Sequence, residues 1–334
     1  MDYRQVFSDE KLRTEFLDRF DEIRAAVEEA GGLEGLDGVP AVDQASEATD
    51  RMVEGSWQGD DSGLEAIILR FTRPVHLVQR GTFRVSPDGF PESEEIGRVL
   101  AKGRAPIERC VPGVGRLELR NHRLDWAGTG WLAGPGLVVT NRHVAQEFAT
   151  AQGDAFAFRS ISGRRTHALI DWRCEYLQPE ESRFRVTEVL WIEPDASLLD
   201  VALLRISETG EDGEAQPAVL GLLDDTEFKG SDVGRWVAVV GYPGNDSRAD
   251  RADRQRIFDG IYDCKRLAAG QVTAVEPQGL VHHDATTLGG NSGSAVIDLD
   301  TGKALALHFD GKTGVRNRAV GAAAVKRLIS RHAS

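Results

Sequence analysis

Three short segments carry residue types suited to acid–base and nucleophilic chemistry. The first is Thr140-Asn141-Arg142-His143-Val144, after a short apolar run. A histidine where a strand ends can present its ring to a cleft, and neutral imidazole near pH 7 accepts a proton and returns it. Alone, such a histidine also fits an ordinary turn or surface position. The second is Leu198-Leu199-Asp200-Val201-Ala202-Leu203-Leu204-Arg205. A carboxylate just before a continuous apolar strand is carried toward the interior, where burial is costly unless a donor meets it. A histidine N–H is a suitable donor, and a strand-start turn is the plainer reading. Asp195 competes with Asp200, but it follows Pro194 in polar surroundings and reads as loop. The third is Thr287-Leu288-Gly289-Gly290-Asn291-Ser292-Gly293-Ser294-Ala295. Glycines on both sides of Ser292 let the backbone turn tightly and aim successive N–H groups at one point. A nucleophile with an oxyanion hole needs this arrangement. A glycine-rich turn that happens to contain serine is the alternative.

The elements that must position these residues change in texture near residue 110. Before it, apolar spacing predicts a helix over 3–30, ended by Gly31-Gly32. Residues 31–62 read as loop. Leu64–Phe71 reads as a short helix, and a strand pair is expected around Arg80-Gly81. A further helix is expected from Glu92 to Cys110, with Ile96, Val99, Leu100 and Ile107 on one face. After Pro112-Gly113, short β-like runs alternate with Gly, Pro and Asp clusters, and a last helix spans Ala323 to Arg331. This pattern predicts an all-β barrel or sandwich.

The order His143, Asp200, Ser292 within the β-rich part matches a known template for acyl transfer. Thr-Asn-Arg-His-Val and Gly-Asn-Ser-Gly-Ser resemble the chymotrypsin/trypsin-like serine protease family, in particular its bacterial branch that includes glutamyl endopeptidases. The resemblance covers about residues 112–334 and implies a mainly β fold, a chymotrypsin-like pair of six-stranded antiparallel barrels. Residues 1–111 then form a helix-rich N-terminal extension. His143 and Asp200 would belong to the first barrel and Ser292 to the second. Ser292 would attack the carbonyl, His143 would relay the proton, and Asp200 would orient the imidazole. Backbone N–H groups of Gly290 and Ser292 would hold the oxyanion. Hydrolysis of a protein or peptide substrate would proceed through an acyl-enzyme, with no metal or cofactor.

The same resemblance bears on specificity. Trypsin carries an aspartate six residues before its serine, where this chain has Thr286. Thr287 and His308 match the threonine and histidine that bind an acidic side chain in glutamyl endopeptidases, which implies preference for Glu or Asp before the cleaved bond. Histidine and hydroxyl groups can donate to a carboxylate. Asp310 departs from that pattern and would oppose an acid. His308 as a core histidine at the pocket base is the other reading. Asn291 stands where secreted relatives have an aspartate that pairs with a new N-terminus, so activation by that route is not expected. His282-His283-Asp284 resembles a metal-site fragment but lacks further ligands and reads as strand-end residues.

Composition narrows the partners. The chain has 334 residues, a net charge of −13, 41% hydrophobic and 28% charged residues, and with its 36 glycines it has enough apolar content for a packed core. The acidic balance argues against nucleic-acid binding. No run approaches 18 apolar residues, so no membrane helix is expected. The charged start of the sequence has no signal-peptide pattern, and three scattered cysteines, Cys110, Cys174 and Cys264, suit a reducing cytoplasm. Residues 1–111 could gate activity, dock substrate or recruit a regulatory protein partner, and a domain that merely buttresses the barrel is the plainer reading. A silent, protease-like binding protein is the alternative function.

Overall fold

The apolar spacing that predicts one N-terminal helix produces two, α1 (Glu10–Asp18) and α2 (Phe20–Glu29), separated by a turn at Arg19. The computed structural model describes residues 7, 10–29, 40–57, 64, 67–68, 75–83, 94–224, 233–245, 258, 260–312 and 316–333. The expected loop over 31–62 contains a third helix, α3 (Val42–Glu54). Its buried face is built from Ala45, Ala48, Thr49 and Met52, of which Met52 alone is a large apolar residue, so the face escapes a hydropathy reading. Gln44 Oε1 accepts the Ala41 N–H at 2.9 Å, and Gly55 ends the helix at φ 75°. Phe7, Phe16, Phe20 and Ile23 pack with these residues, Leu64, Ile67 and Ile68 into a core of their own. Most of the expected 64–71 helix, and the polar, charge-mixed stretch 247–256 that reads as an insertion, lie outside the described residues.

The expected strand pair and the helix expected from Glu92 to Cys110 are present as β1 (Val75–Gln79), β2 (Thr82–Phe83) and α4 (Glu94–Cys110). Next come the strands of the first barrel. They are β3 (Val114–Arg120), β4 (Trp126–Gly134), β5 (Leu137–Thr140), β10 (His167–Asp171), β11 (Arg183–Ile192) and β12 (Ala202–Ile206). They close in the order β10-β11-β12-β5-β4-β3, all antiparallel. Alternation along β11 sends Phe184 and Val186 inward to meet Leu117, Leu132, Val138, Ile170 and Leu204. Between β5 and β10 lie α5 (Arg142–Phe148) and two hairpins, β6 (Ala149–Gln152) with β7 (Ala155–Phe158), and β8 (Ser160–Ile161) with β9 (Arg164–Arg165).

The second barrel uses β13 (Trp236–Gly241), β14 (Arg266–Val275), β15 (Leu280–His283), β16 (Ala295–Asp298), β17 (Ala304–Lys312) and β18 (Arg316–Gly321). The β13–β14 pairing closes it. The helix α6 (Ala322–His332) follows, and its His332 ring stacks on Trp191 of the first barrel at 3.8 Å. No described helix is long and apolar enough to cross a membrane.

The segment before residue 112 is built into this barrel pair. Val75–Leu77 of β1 pair with Ala268–Arg266 of β14. Val78 N–H donates to Lys265 O at 3.1 Å, while Val78 O accepts from Tyr176 N–H of the first barrel at 2.9 Å. Lys265 is fully buried, and its Nζ donates to Val111 O at 3.0 Å and Trp172 O at 2.7 Å. Ile96, Leu100 and Ile107 of α4 join the core that holds Ile297, Leu299 and Leu307. We expect Ile107→Ala to cost about 2–5 kcal/mol of stability, because the cavity cannot refill. A chain starting at residue 112 should lose cooperative unfolding in urea. A shortened chain as stable as the full one would contradict this packing.

Candidate active site

His143 lies in the first turn of α5, directly after β5. Asp200 lies two residues before β12, the strand beside β5. Neighbouring strands therefore bring the two together, and His143 Nδ1 is 2.6 Å from Asp200 Oδ2. Asp200 Oδ1 also accepts the His143 backbone N–H at 3.2 Å. Asp200 is 8% exposed, so its charge is desolvated but met by two donors. Asn141 Nδ2 donates to Asp200 O at 2.9 Å, and Arg142 Nη1 donates to Pro194 O at 2.7 Å, holding the loop that precedes Asp200. Asp195 faces away from this pair. Its side chain is 82% exposed and meets Gln146 Nε2 at 2.8 Å and Arg142 Nε at 3.5 Å.

Ser292 sits at the tip of a turn between β15 and β16, in the second barrel. Gly290 at φ 92° and Gly293 at φ 88° adopt left-handed backbone. A Cβ on Gly293 would lie 1.8 Å from Thr129 O, so no side chain fits there. The turn is clamped to β4 of the other barrel. Thr129 N–H donates to Ser292 O at 2.8 Å, and Thr129 Oγ1 donates to Gly290 O at 3.0 Å. The backbone N–H groups of Gly290 and Ser292 have no acceptor among the described residues, nor does Ser292 Oγ bond to His143. Resting proteins often make this last contact only with substrate bound. Asn291 is buried, and its Oδ1 accepts from Ser294 Oγ at 3.3 Å.

His308, on β17, is bound to the same turn. Its carbonyl accepts the Gly293 N–H at 2.8 Å and its N–H donates to Ser294 O at 3.0 Å. Its Nδ1 is 3.1 Å from His283 Nε2, and its Nε2 makes no hydrogen bond among the described residues. Burial pushes the His308 pKa down to about 4, with the nearby His143 adding to the effect against the opposing pull of Asp310. Thr287 Oγ1 donates to Asn317 Oδ1 at 2.7 Å, and Asn317 in turn donates to Ala285 O at 2.7 Å. The Thr287 proton is therefore committed to Asn317. Asp310 is half exposed and accepts from Arg318 Nε at 3.1 Å, so its charge is met on the outer side.

The three residues of the metal-like fragment face separate partners. His282 Nε2 meets Glu276 Oε1 at 2.5 Å, His283 meets His308, and Asp284 Oδ1 accepts the Gln271 N–H at 2.6 Å. Glu118, Asp171 and Cys174 bring ligand-type atoms within 4.8 Å of one another elsewhere in the first barrel. Arg116 Nη2 and Arg183 Nε already occupy Glu118 at 2.6 and 2.7 Å, and burial raises the Cys174 pKa, keeping the thiol protonated. That cluster is a satisfied ion-pair network, since a protonated thiol is a poor ligand.

Sequence reasoning missed Thr129, His283 and Asn317. Each acts through a partner remote in sequence; reading His283 as a strand-end residue assigns it no such role, and no spacing marks Thr129 or Asn317.

Residues 128–307 match the trypsin-like peptidase domain family. A probable serine protease of Lysobacter enzymogenes is 30% identical over 293 residues, covering 80% of this chain and 74% of the relative. An uncharacterized protein of Sinorhizobium fredii is 25% identical over 190 residues, 56% of this chain and 25% of that protein. The crystal structure of the serine endoprotease from Yersinia pestis superposes with a TM-score of 0.45 at 16% identity, over 72% of this chain and 66% of that one. With its paired barrels and the family match across both of them, the chain belongs to the trypsin-like serine peptidases and is a serine endopeptidase.

Proposed function

We propose that this endopeptidase works through His143, Asp200 and Ser292, and that it prefers an acidic residue before the cleaved bond. The observation that carries the first part is the 2.6 Å contact between His143 Nδ1 and Asp200 Oδ2. It fixes the tautomer that leaves Nε2 as the base. Ser292 Oγ gives its proton to that nitrogen and attacks the carbonyl. The Gly290 and Ser292 N–H groups receive the developing oxyanion, each worth roughly 3–4 kcal/mol in the transition state. His143 then passes the proton to the leaving amine, and water repeats the cycle on the acyl-enzyme.

The acidic preference rests on His308. With its pKa down at about 4 it is a neutral imidazole at pH 7. If His283 Nε2 donates to Nδ1, then His308 Nε2 carries the proton and is a donor for a substrate carboxylate. Thr287 supports this site by fixing Asn317 rather than by donating itself. The Asp310–Arg318 pair removes the objection that a carboxylate nearby would repel an acid.

Residues 1–111 precede the peptidase domain, 112–334, and divide in function. The helices α1 to α3, with their separate core, are the part open to a regulatory protein partner. The segment from β1 to α4 is structural. The compartment that fits is a reducing cytoplasm, since Cys110, Cys174 and Cys264 are all free thiols.

Profiling with a peptide library should show cleavage mainly after Glu. His308→Leu should lower kcat/KM for Glu peptides by about 100-fold, as expected when a buried acid loses its donor. Cleavage mainly after Lys or Arg would overturn the acidic preference. Acidification gives a second test. Unfolded His308 titrates near its ordinary 6.5 and the folded residue near 4, so the unfolded chain binds more protons between these values. The stability is complete above pH 6.5 and declines as pH falls through 4, by roughly 3 kcal/mol. Urea unfolding of the wild type and His308→Leu at pH 7 and 4.5 should show a smaller acid loss in the variant.

A further inference from the structure

The reading of His143 as proton donor to the leaving amine has a geometric consequence. The segment that leaves must pass within reach of His143, which protonates its amine. A cavity of about 710 Å³ is lined by His143 but by none of Gly290, Ser292, Thr287 and His308. Its walls are the β3–β4 loop, α5, β6, the β7–β8 connection and β8, which contribute His122, Arg123, Glu147, Thr150, Arg159 and Ser160.

The charge in this cavity opposes that of the whole chain. Arg159 Nε donates to Ala149 O at 3.0 Å, which fixes its stem. Its terminal guanidinium nitrogens have no acceptor among the described residues. Arg123 Nη2 stands 3.8 Å from Glu147 Oε2, outside hydrogen-bond range, and its side chain is 77% exposed. His122 Nδ1 accepts the Leu124 N–H at 3.1 Å, so its Nε2 is the protonated nitrogen, and this too lies 3.8 Å from Glu147. Two guanidiniums and an imidazole N–H thus face a single carboxylate, in a chain of net charge −13.

We propose that this cavity binds the residues that follow the cleaved bond and selects a carboxylate side chain there, with Arg159 as its main contact and Arg123 assisting. A guanidinium with free terminal N–H groups is suited to a two-pronged contact with a carboxylate. The inference rests on the roles given to His143 and Ser292, and it concerns the opposite side of the bond from His308.

The test uses the full chain and paired peptides that are identical before the bond and carry Glu or Gln at the first or second position after it. At one of these positions the wild type should favour Glu by about 5- to 10-fold in kcat/KM, as for one charge-assisted contact near the surface. In Arg159→Gln the Glu/Gln ratio should fall toward one, and in Arg159→Lys, which keeps the charge but loses the two-pronged contact, it should fall only partway. An unaltered ratio in Arg159→Gln, or a wild type that shows no preference for Glu at either position, would overturn the proposal. An ester of the same acyl group, with no residue on the leaving side, reports the triad alone, so a failure of the subsite and a failure of the mechanism are read separately.

Discussion

The serine turn is held by one residue of the other barrel. Thr129 donates its N–H to Ser292 O and its hydroxyl to Gly290 O, and its own carbonyl accepts from Thr140 Oγ1 at 2.7 Å. That carbonyl also leaves no room for a Cβ at Gly293. Thr140 ends β5, and the chain reaches His143 three residues later. The strand beside β5 begins just after Asp200. The contacts around Thr129 therefore set how far the serine sits from the histidine and aspartate. Close packing makes such a seam stiff, so small shifts between the barrels reach the site directly.

A second seam lies where Lys265 is buried. Lys265 precedes β14, yet its ammonium is solvated by Val111 O before the first barrel and by Trp172 O within it. Burial lowers its pKa to about 8 against the opposing pull of Glu175, whose Oε2 accepts the Gly81 N–H of the β1–β2 turn at 2.8 Å. Removing any partner leaves a buried charge or donor unmet. The hairpin thus joins both barrels, and the chain that reaches it comes from the helices α1 to α3. Among the described residues, the core of these helices is separate from the cores of the barrels.

The three residues of the proposed triad stand out in the sequence because each lies in a local setting that fits the chemistry assigned to it. His143 ends an apolar strand, Asp200 begins one, and Ser292 lies between glycines. The choice of Asp200 over Asp195 also followed from local polarity. The helix α3 was hidden because its inward face uses alanine and threonine. The strands β10, β15 and β18 were hidden for other reasons. β18 begins Arg-Asn-Arg, and β15 ends in two histidines whose partners include Glu276 and His308. The break at Arg19 was masked by continuous apolar spacing. Thr129, Asn317 and His283 act through contacts that only the closed barrels create, so no spacing rule marks them.

The central claim is that Ser292 is the nucleophile activated by His143. Fluorophosphonate labelling of the purified chain, with the adduct mapped by mass spectrometry, tests it most directly. A phosphonyl adduct on Ser292, slowed by several orders of magnitude in His143→Ala, is the predicted result. An adduct on another residue, or none in a protein that unfolds cooperatively, would contradict the account.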